Sequence, residues 1–315
     1  MGKTKQTLDE VKRLLCGAVN VQFTPFRSST HIDEDALRDN TRFMTDNGLV
    51  KGRGVLISGG SVGEGFSLSD EEYRRLVAIV VEEADGRIPV CVGCLRPATE
   101  PAIRLARYAE AAGADCIMAL APYYYPNEPE DVVYAHFKAI ADATDLPIMI
   151  YNNLAVTGQD MPIGLLRRLA DIDQIVALKE CSADPHKLRE VAFNLAGRFV
   201  LLPSATHRLP FDYQLGAAGF ITLFANFCPA YDLALHDACL AQDFSRVQEI
   251  YVRSRPLTNY LEAEMEHPTR VIALGKEMCR LAGRPMGEVE RLPVVRPSED
   301  ERVELRRLMV EAGLL

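Results

Sequence analysis

The strongest constraint on this chain is a repeated unit. A short run of apolar, often β-branched residues gives way to a polar turn, then to a longer stretch with apolar residues at three- and four-residue spacing. The runs stand at Ala18–Phe23, Gly54–Ser58, Pro89–Gly93, Cys116–Leu120, Pro147–Tyr151, Ile175–Lys179, Phe199–Leu202 and Gly219–Leu223. Helical spacing covers Glu34–Asn47, Asp70–Glu83, Thr99–Ala112, Glu130–Ala143, Ile163–Ala170, Pro185–Leu195 and Ala230–Ala241. Continuous apolar runs read as strands buried on both faces, and the helices between them return the chain for a parallel neighbour. Eight such units predict an α/β fold, a closed (β/α)8 TIM barrel spanning residues 1–242. An open doubly wound sheet is the alternative, but no GxGxxG follows the first strand.

Helix starts carry matching chemistry. Ser69-Asp70-Glu71-Glu72 offers a hydroxyl cap with a carboxylate three residues on, and Asp184-Pro185 sets a capping residue before a first-turn proline. Past about residue 243 the alternation stops. Amphipathic stretches near Phe244–Met265, Pro268–Ala282 and Asp300–Gly313 predict a C-terminal helical extension, residues 243–315, belonging to the same domain because no flexible linker intervenes.

A chain of 315 residues buries enough apolar surface to need neither a disulfide framework nor a structural metal. The net charge of −9, spread along the chain, disfavours nucleic acid and anionic membrane surfaces as partners. No apolar run approaches the ~20 residues that span a bilayer. Met1–Gln6 leads into an amphipathic stretch rather than an apolar secretion core, which predicts a cytoplasmic protein. The eight cysteines are scattered. Cys91 and Cys94 form a CxxC, but within an apolar strand and without a second ligand pair, so buried thiols are expected rather than a redox or zinc site.

In such barrels the chemistry sits at the C-terminal ends of the strands. The second strand ends in Gly59-Gly60-Ser61-Val62-Gly63-Glu64, the fourth in Pro122-Tyr123-Tyr124-Tyr125, the fifth in Tyr151-Asn152-Asn153 and the sixth in Lys179-Glu180. Lysine in the run Ile175–Lys179 is unusual, because an unpartnered buried ammonium is costly. Desolvation would favour the neutral amine that attacks a carbonyl. On the residues alone, Lys179 could instead snorkel to solvent or pair with Glu180. Tyr151 could relay a proton to an imine, or be a core tyrosine with a satisfied hydroxyl. The glycine-rich turn Gly59–Gly63 could present N–H groups to a carboxylate.

Taken in order, these pieces resemble the dihydrodipicolinate synthase / N-acetylneuraminate lyase family, the pyruvate-dependent class I aldolases. The similarity runs from Val21-Gln22-Phe23-Thr24-Pro25-Phe26 to about Gly283. Gly60–Glu64 resembles the family's GTTGE-type loop, Pro122-Tyr123-Tyr124 its PYY element, Tyr151-Asn152 with Thr157-Gly158 its YN…TG element, and Lys179-Glu180 its lysine motif. The resemblance implies that Lys179 forms an imine with a small 2-oxo acid such as pyruvate, and that Tyr151 relays protons. It implies that Ser61 stands in for the relay threonine, and that Tyr124 completes the relay from a neighbouring subunit in a homotetramer built as a dimer of dimers. Ser61, the Val62 N–H and Gly60 would hold the substrate carboxylate, with Ile221 and Ser204 also at the substrate. No cofactor and no metal are implied.

Several positions depart from the pattern. Dihydrodipicolinate synthases carry an arginine two residues before the TG element, where this chain has Val156. Losing such a bidentate contact with a carboxylate costs on the order of 2–4 kcal/mol of recognition. Sialic-acid lyases share an apolar residue there and a relay serine, but place an acidic pair where this chain has Ala205-Thr206-His207. Val62 replaces a hydroxyl residue and keeps only its backbone donor. Tyr125, Asn153, His207, Arg208 and Asn226 are candidates to line the remaining pocket. The expectation is a Schiff-base lyase acting on pyruvate or a 2-oxo-3-deoxy acid. The alternatives are a 4-hydroxy-tetrahydrodipicolinate synthase using another cation such as Arg208, and a catalytically silent 2-oxo-acid-binding barrel.

Overall fold

Eight parallel strands lie side by side in a cyclic order that follows the chain: Gly17–Val21, Gly54–Ser58, Val90–Gly93, Cys116–Ala119, Ile148–Asn152, Ile175–Glu180, Val200–Pro203 and Gly219–Thr222. The eighth pairs with the first through Gly17 opposite Gly219. The seventh meets the eighth where the Ala218 N–H donates to the Leu201 carbonyl (3.1 Å). The computed structural model describes residues 6–182, 184–195, 197–204 and 208–315. It is a (β/α)8 barrel, and the strands agree with the apolar runs to within two residues at either end.

The strands read as near-continuous apolar runs because both faces are covered. Alternate residues point into the barrel, as Val19, Val21, Val55, Ile57, Cys116, Met118 and Met149 do, and pack on one another there. Their neighbours Ala18, Leu56, Ile117, Ile148 and Ile150 point outward to the helices. Those helices are Glu34–Asp46, Asp70–Ala84, Thr99–Ala112, Glu130–Ala143, Ile163–Leu169, Pro185–Leu195 and Pro229–Leu240, with a six-residue helix, Leu209–Gln214, after the seventh strand. The capping box at Ser69 forms, with the Glu72 N–H donating to Ser69 Oγ (3.2 Å) and the Ser69 N–H donating back to Glu72 (3.0 Å). Asp184 accepts from the His186 N–H at 2.9 Å.

Three elements fill in around the barrel. A helix at Leu8–Leu14 brings Val11 and Leu15 into the inner cluster and stoppers the N-terminal end. A hairpin, Phe26–Ser28 with His31–Ile32, follows the first strand. The helices Phe244–Ala263, Pro268–Leu281 and Glu299–Ala312 share a separate apolar cluster in which Leu257, Ile272, Met278 and Leu308 pack with Phe23, just beyond the first strand. Among the described residues no helix is long and apolar enough to cross a membrane. Cys91 and Cys94 are both buried and unpaired, and burial pushes the Cys94 thiol up to about 12.

Candidate active site

Strict alternation along Ile175-Val176-Ala177-Leu178-Lys179 would put Lys179 on the same side as Ile175, facing outward. The structure breaks that alternation once. Ile148 pairs with Ile175, but the next residue, Met149, pairs with Ala177. Val176 is the extra residue of a β-bulge, and both Val176 and Ala177 lie in the inner cluster, while Ile175 and Leu178 lie in the outer one. The bulge reverses the parity of everything after it, so Lys179 comes level with Tyr151 and turns into the barrel. Glu180 turns the other way.

Lys179 is buried to 4% exposure and Tyr151 to 3%. The lysine Nζ stands 3.7 Å from the centroid of the tyrosine ring. Snorkelling is therefore ruled out, and so is pairing with Glu180. That carboxylate accepts from Asn152 Nδ2 (2.9 Å) and from the Ser182 N–H (2.9 Å), and it lies 3.9 Å from the Lys187 ammonium. Burial raises the Glu180 carboxyl, against the opposing pull of Lys187.

The Tyr151 phenol oxygen receives two hydrogen bonds. Ser61 Oγ donates at 3.5 Å and Asn153 Nδ2 at 2.9 Å. Asn153 is oriented by its own helix start: it caps Leu154–Thr157, its Oδ1 accepting from the Ala155 N–H (3.0 Å), which leaves the amide nitrogen for the phenol. Sequence reasoning placed Asn153 only among possible pocket residues. An asparagine directly before a helical turn was the available sign that its amide would be held in place.

The turn after the second strand packs close beneath Ser61 and Val62. Gly63 lies against the first strand's continuation, where a Cβ would fall 2.6 Å from the Gln22 carbonyl oxygen, and Thr24 Oγ1 donates to the Gly63 carbonyl (2.6 Å). Ser61 and Val62 are half-buried, and Val62 packs against the inner cluster. Gly60 has no room for a side chain, since a Cβ would meet Val21 Cγ1 at 2.6 Å. On the eighth strand, level with Val19 of the first, Ile221 is buried in the same cluster. Ser204 lies beyond the seventh strand, its hydroxyl accepting from Cys181 Sγ (3.0 Å) and its N–H donating to the Glu180 carbonyl (3.0 Å). Burial raises the Cys181 thiol, although the neighbouring Lys179 pulls against it.

The model of the dihydrodipicolinate synthetase family matches residues 15–312. The chain belongs to that family. A 4-hydroxy-tetrahydrodipicolinate synthase of Rhodospirillum centenum is 33% identical over 300 residues, covering 95% of this chain and 99% of that protein. The crystal structure of dihydrodipicolinate synthase from Aquifex aeolicus superposes with a TM-score of 0.86 at 29% identity, covering 95% of this chain and 99% of the other. A prophage protein of the dihydrodipicolinic acid synthase family from E. coli K12, solved in complex with pyruvate, gives 0.87 at 26% identity, covering 96% and 100%. Members of the dihydrodipicolinate synthetase family are lyases that work through a lysine Schiff base, and this chain is such a lyase.

The remaining candidate residues fall inside and outside the barrel mouth. Of the three consecutive tyrosines, only Tyr123 packs inward, its hydroxyl donating to the Leu95 carbonyl (3.4 Å). Tyr124 and Tyr125 are 74% and 70% exposed and contact each other edge to face, so Tyr124 does not reach the Tyr151 of its own chain. Asn226 does not line the pocket. Its amide nitrogen donates to Asn20, Val21 and Leu223, and its oxygen accepts from the Phe23 N–H, which ties the eighth strand to the first. Arg208 is held by Asp212 (3.1 Å) and by the Ser182 carbonyl (2.9 Å). His207, with Ala205 and Thr206, lies outside the described residues. Val156 is half-buried on the short helix Leu154–Thr157 and packs toward the inner cluster.

Proposed function

We propose that Lys179 is the Schiff-base lysine of this lyase, and that its substrate is pyruvate or a 2-oxo-3-deoxy acid whose far end carries no second carboxylate. The amine adds to the 2-oxo carbon, the resulting hydroxyl leaves as water, and the protonated imine draws electrons from the neighbouring bond. Tyr151 stands where a proton must be delivered and removed, with Ser61 and Asn153 holding its hydroxyl. The carboxylate of the 2-oxo acid is taken by Ser61 and the Val62 N–H at the turn, with Gly60 letting that turn settle on Val21 and with Ile221 and Ser204 also at the substrate. The electron sink is the protein's own amine, so the reaction as proposed draws on neither a metal nor a cofactor.

One observation carries the reading: an ammonium group inside a barrel, 3.7 Å from a phenol ring. The substrate limit follows from the surrounding charges. Val156 provides an apolar wall, and Arg208 and Lys187 are engaged by Asp212 and Asp160. A second carboxylate would have to win one of those cations from its partner. A second reading, 4-hydroxy-tetrahydrodipicolinate synthase, is favoured by the names of the curated relatives. We place Tyr124 at the relay of a neighbouring subunit, in a dimer that pairs into a tetramer, because its ring projects away from its own barrel.

Borohydride reduction in the presence of pyruvate, followed by peptide mass spectrometry, tests the chemistry. A reduced pyruvyl adduct on the Lys179 peptide is expected, and none on Lys179→Ala. An adduct elsewhere, or none, removes the proposal. Release of pyruvate from 2-oxo-3-deoxy acids supports the substrate class, whereas condensation of pyruvate with aspartate semialdehyde selects the second reading.

A further inference from the structure

The turn proposed to bind the carboxylate ends in Glu64, and Glu64 is unusual twice over. It has left-handed backbone (φ 57°, ψ 28°), uncommon for a residue with a side chain. It is also completely buried. Its carboxylate pairs with the ammonium of Lys276, likewise completely buried, from the middle of the helix Pro268–Leu281. Lys276 also donates to Glu290 Oε2 (3.0 Å), and Glu290 is engaged in turn by Arg280. The same helix presses on the barrel rim one residue earlier, where a Cβ on Gly275 would fall 2.2 Å from Phe23 Cζ. Two cations stand against the Phe26 ring, Lys276 Nζ 4.7 Å and the Arg291 guanidinium 4.1 Å from its centroid. Arg291 holds the other end of this segment, donating to the Ser67 carbonyl (3.1 Å) and to Glu72 (2.6 Å).

Stability gives a poor reason for this arrangement. Two ions taken fully out of water lose about as much hydration as their attraction returns, and apolar side chains of the same size commonly do as well. What an ion pair adds is a fixed direction, here between a helix and a turn four residues long, Gly60–Gly63. We propose that Lys276 and Glu64 are positioning residues through which the C-terminal helices set the carboxylate-binding turn at Ser61 and Val62. Neither touches the substrate. The inference rests on the reading that this turn holds the 2-oxo acid carboxylate.

Trapping by borohydride across a pyruvate titration gives two numbers: the half-saturating concentration and the fraction trapped at saturation. Lys276→Met is expected to raise the half-saturating concentration at least ~tenfold while leaving the saturated fraction near that of the wild type, because displacing a binding group by a fraction of an ångström weakens recognition before it abolishes chemistry. Lys276→Arg, which keeps the charge, is expected to recover most of the loss. If Lys276→Met fails to fold because Glu64 is left unpaired, the neutral double variant Glu64→Gln/Lys276→Met takes its place, with circular dichroism to establish folding. A folded variant with an unchanged half-saturating concentration overturns the proposal, as does an equal loss for Lys276→Arg and Lys276→Met. If the wild type itself is not trapped on Lys179, the reading of the site falls first and takes this inference with it.

Discussion

At the residue scale, the phenol of Tyr151 is separable from its ring. The ring is packed in the inner cluster beneath Lys179, while the hydroxyl meets Ser61 and Asn153. Tyr151→Phe keeps the packing and deletes the proposed proton relay. The two donors it leaves are half-buried and can turn to water, so the cost to stability is on the order of 1 kcal/mol. Imine formation in a single turnover is expected to slow by about 10²–10⁴, measured as the growth of borohydride-trapped adduct with time. A rate within tenfold of the wild type would reduce Tyr151 to a packing residue. Lys179 and Tyr151 were legible because a charged or hydroxylated residue ending an apolar run is chemically out of place. Asn153 was legible only as a pocket candidate and Glu64 only as part of a turn, since what matters about them is the partner each finds, and no local pattern names Lys276, 212 positions further along the chain.

At the scale of elements, the long strands and helices were readable because each buries a periodic apolar face, and the limits of most helices fall within two residues of the spacing. The short ones, Leu154–Thr157 and Leu209–Gln214, span too few turns for a period to show. The bulge at Val176 was hidden for a related reason: in an all-apolar run, a slip in parity changes no residue from polar to apolar. Its consequence is nonetheless large, since it decides which way Lys179 faces. Inserting one alanine between Ala177 and Leu178 reverses the parity again, sets Leu178 level with Tyr151 and drives the ammonium outward into the layer of Ile148 and Ile150 beneath the helices. That burial costs several kcal/mol, roughly 3–5, so a lower melting temperature is expected together with complete loss of trapping in the soluble fraction. A folded insertion variant that still traps pyruvate on Lys179 would show that the strand absorbs the added residue elsewhere, and would discard this account of how the lysine is aimed.

At the scale of the whole molecule, one barrel holds Lys179, Tyr151 and Ser61 together but leaves Tyr124 outside, stacked edge to face on Tyr125. Two adjacent tyrosines exposed by about 70% are a poor surface for an isolated barrel and a good one for contact, because an aromatic ring brings large apolar area with few rotamers to freeze. If each Tyr124 enters the partner's site, the defects of Lys179→Ala and Tyr124→Phe lie in different sites of a mixed dimer. The site with the substituted lysine is dead whatever the partner supplies. The other site keeps its own Lys179 and receives an intact Tyr124 from the lysine variant, so it works. Random reassembly of equal amounts makes half the dimers mixed, with one working site in two, so activity should return to about a quarter of the wild-type value. The two homodimeric variants, unfolded and refolded together and assayed by pyruvate turnover, give the measurement, with separately refolded samples as the baseline. Activity no greater than the average of the separate variants means that the tyrosine acts in its own chain or in none, and a shared proton relay is then lost even if the protein proves to be an oligomer.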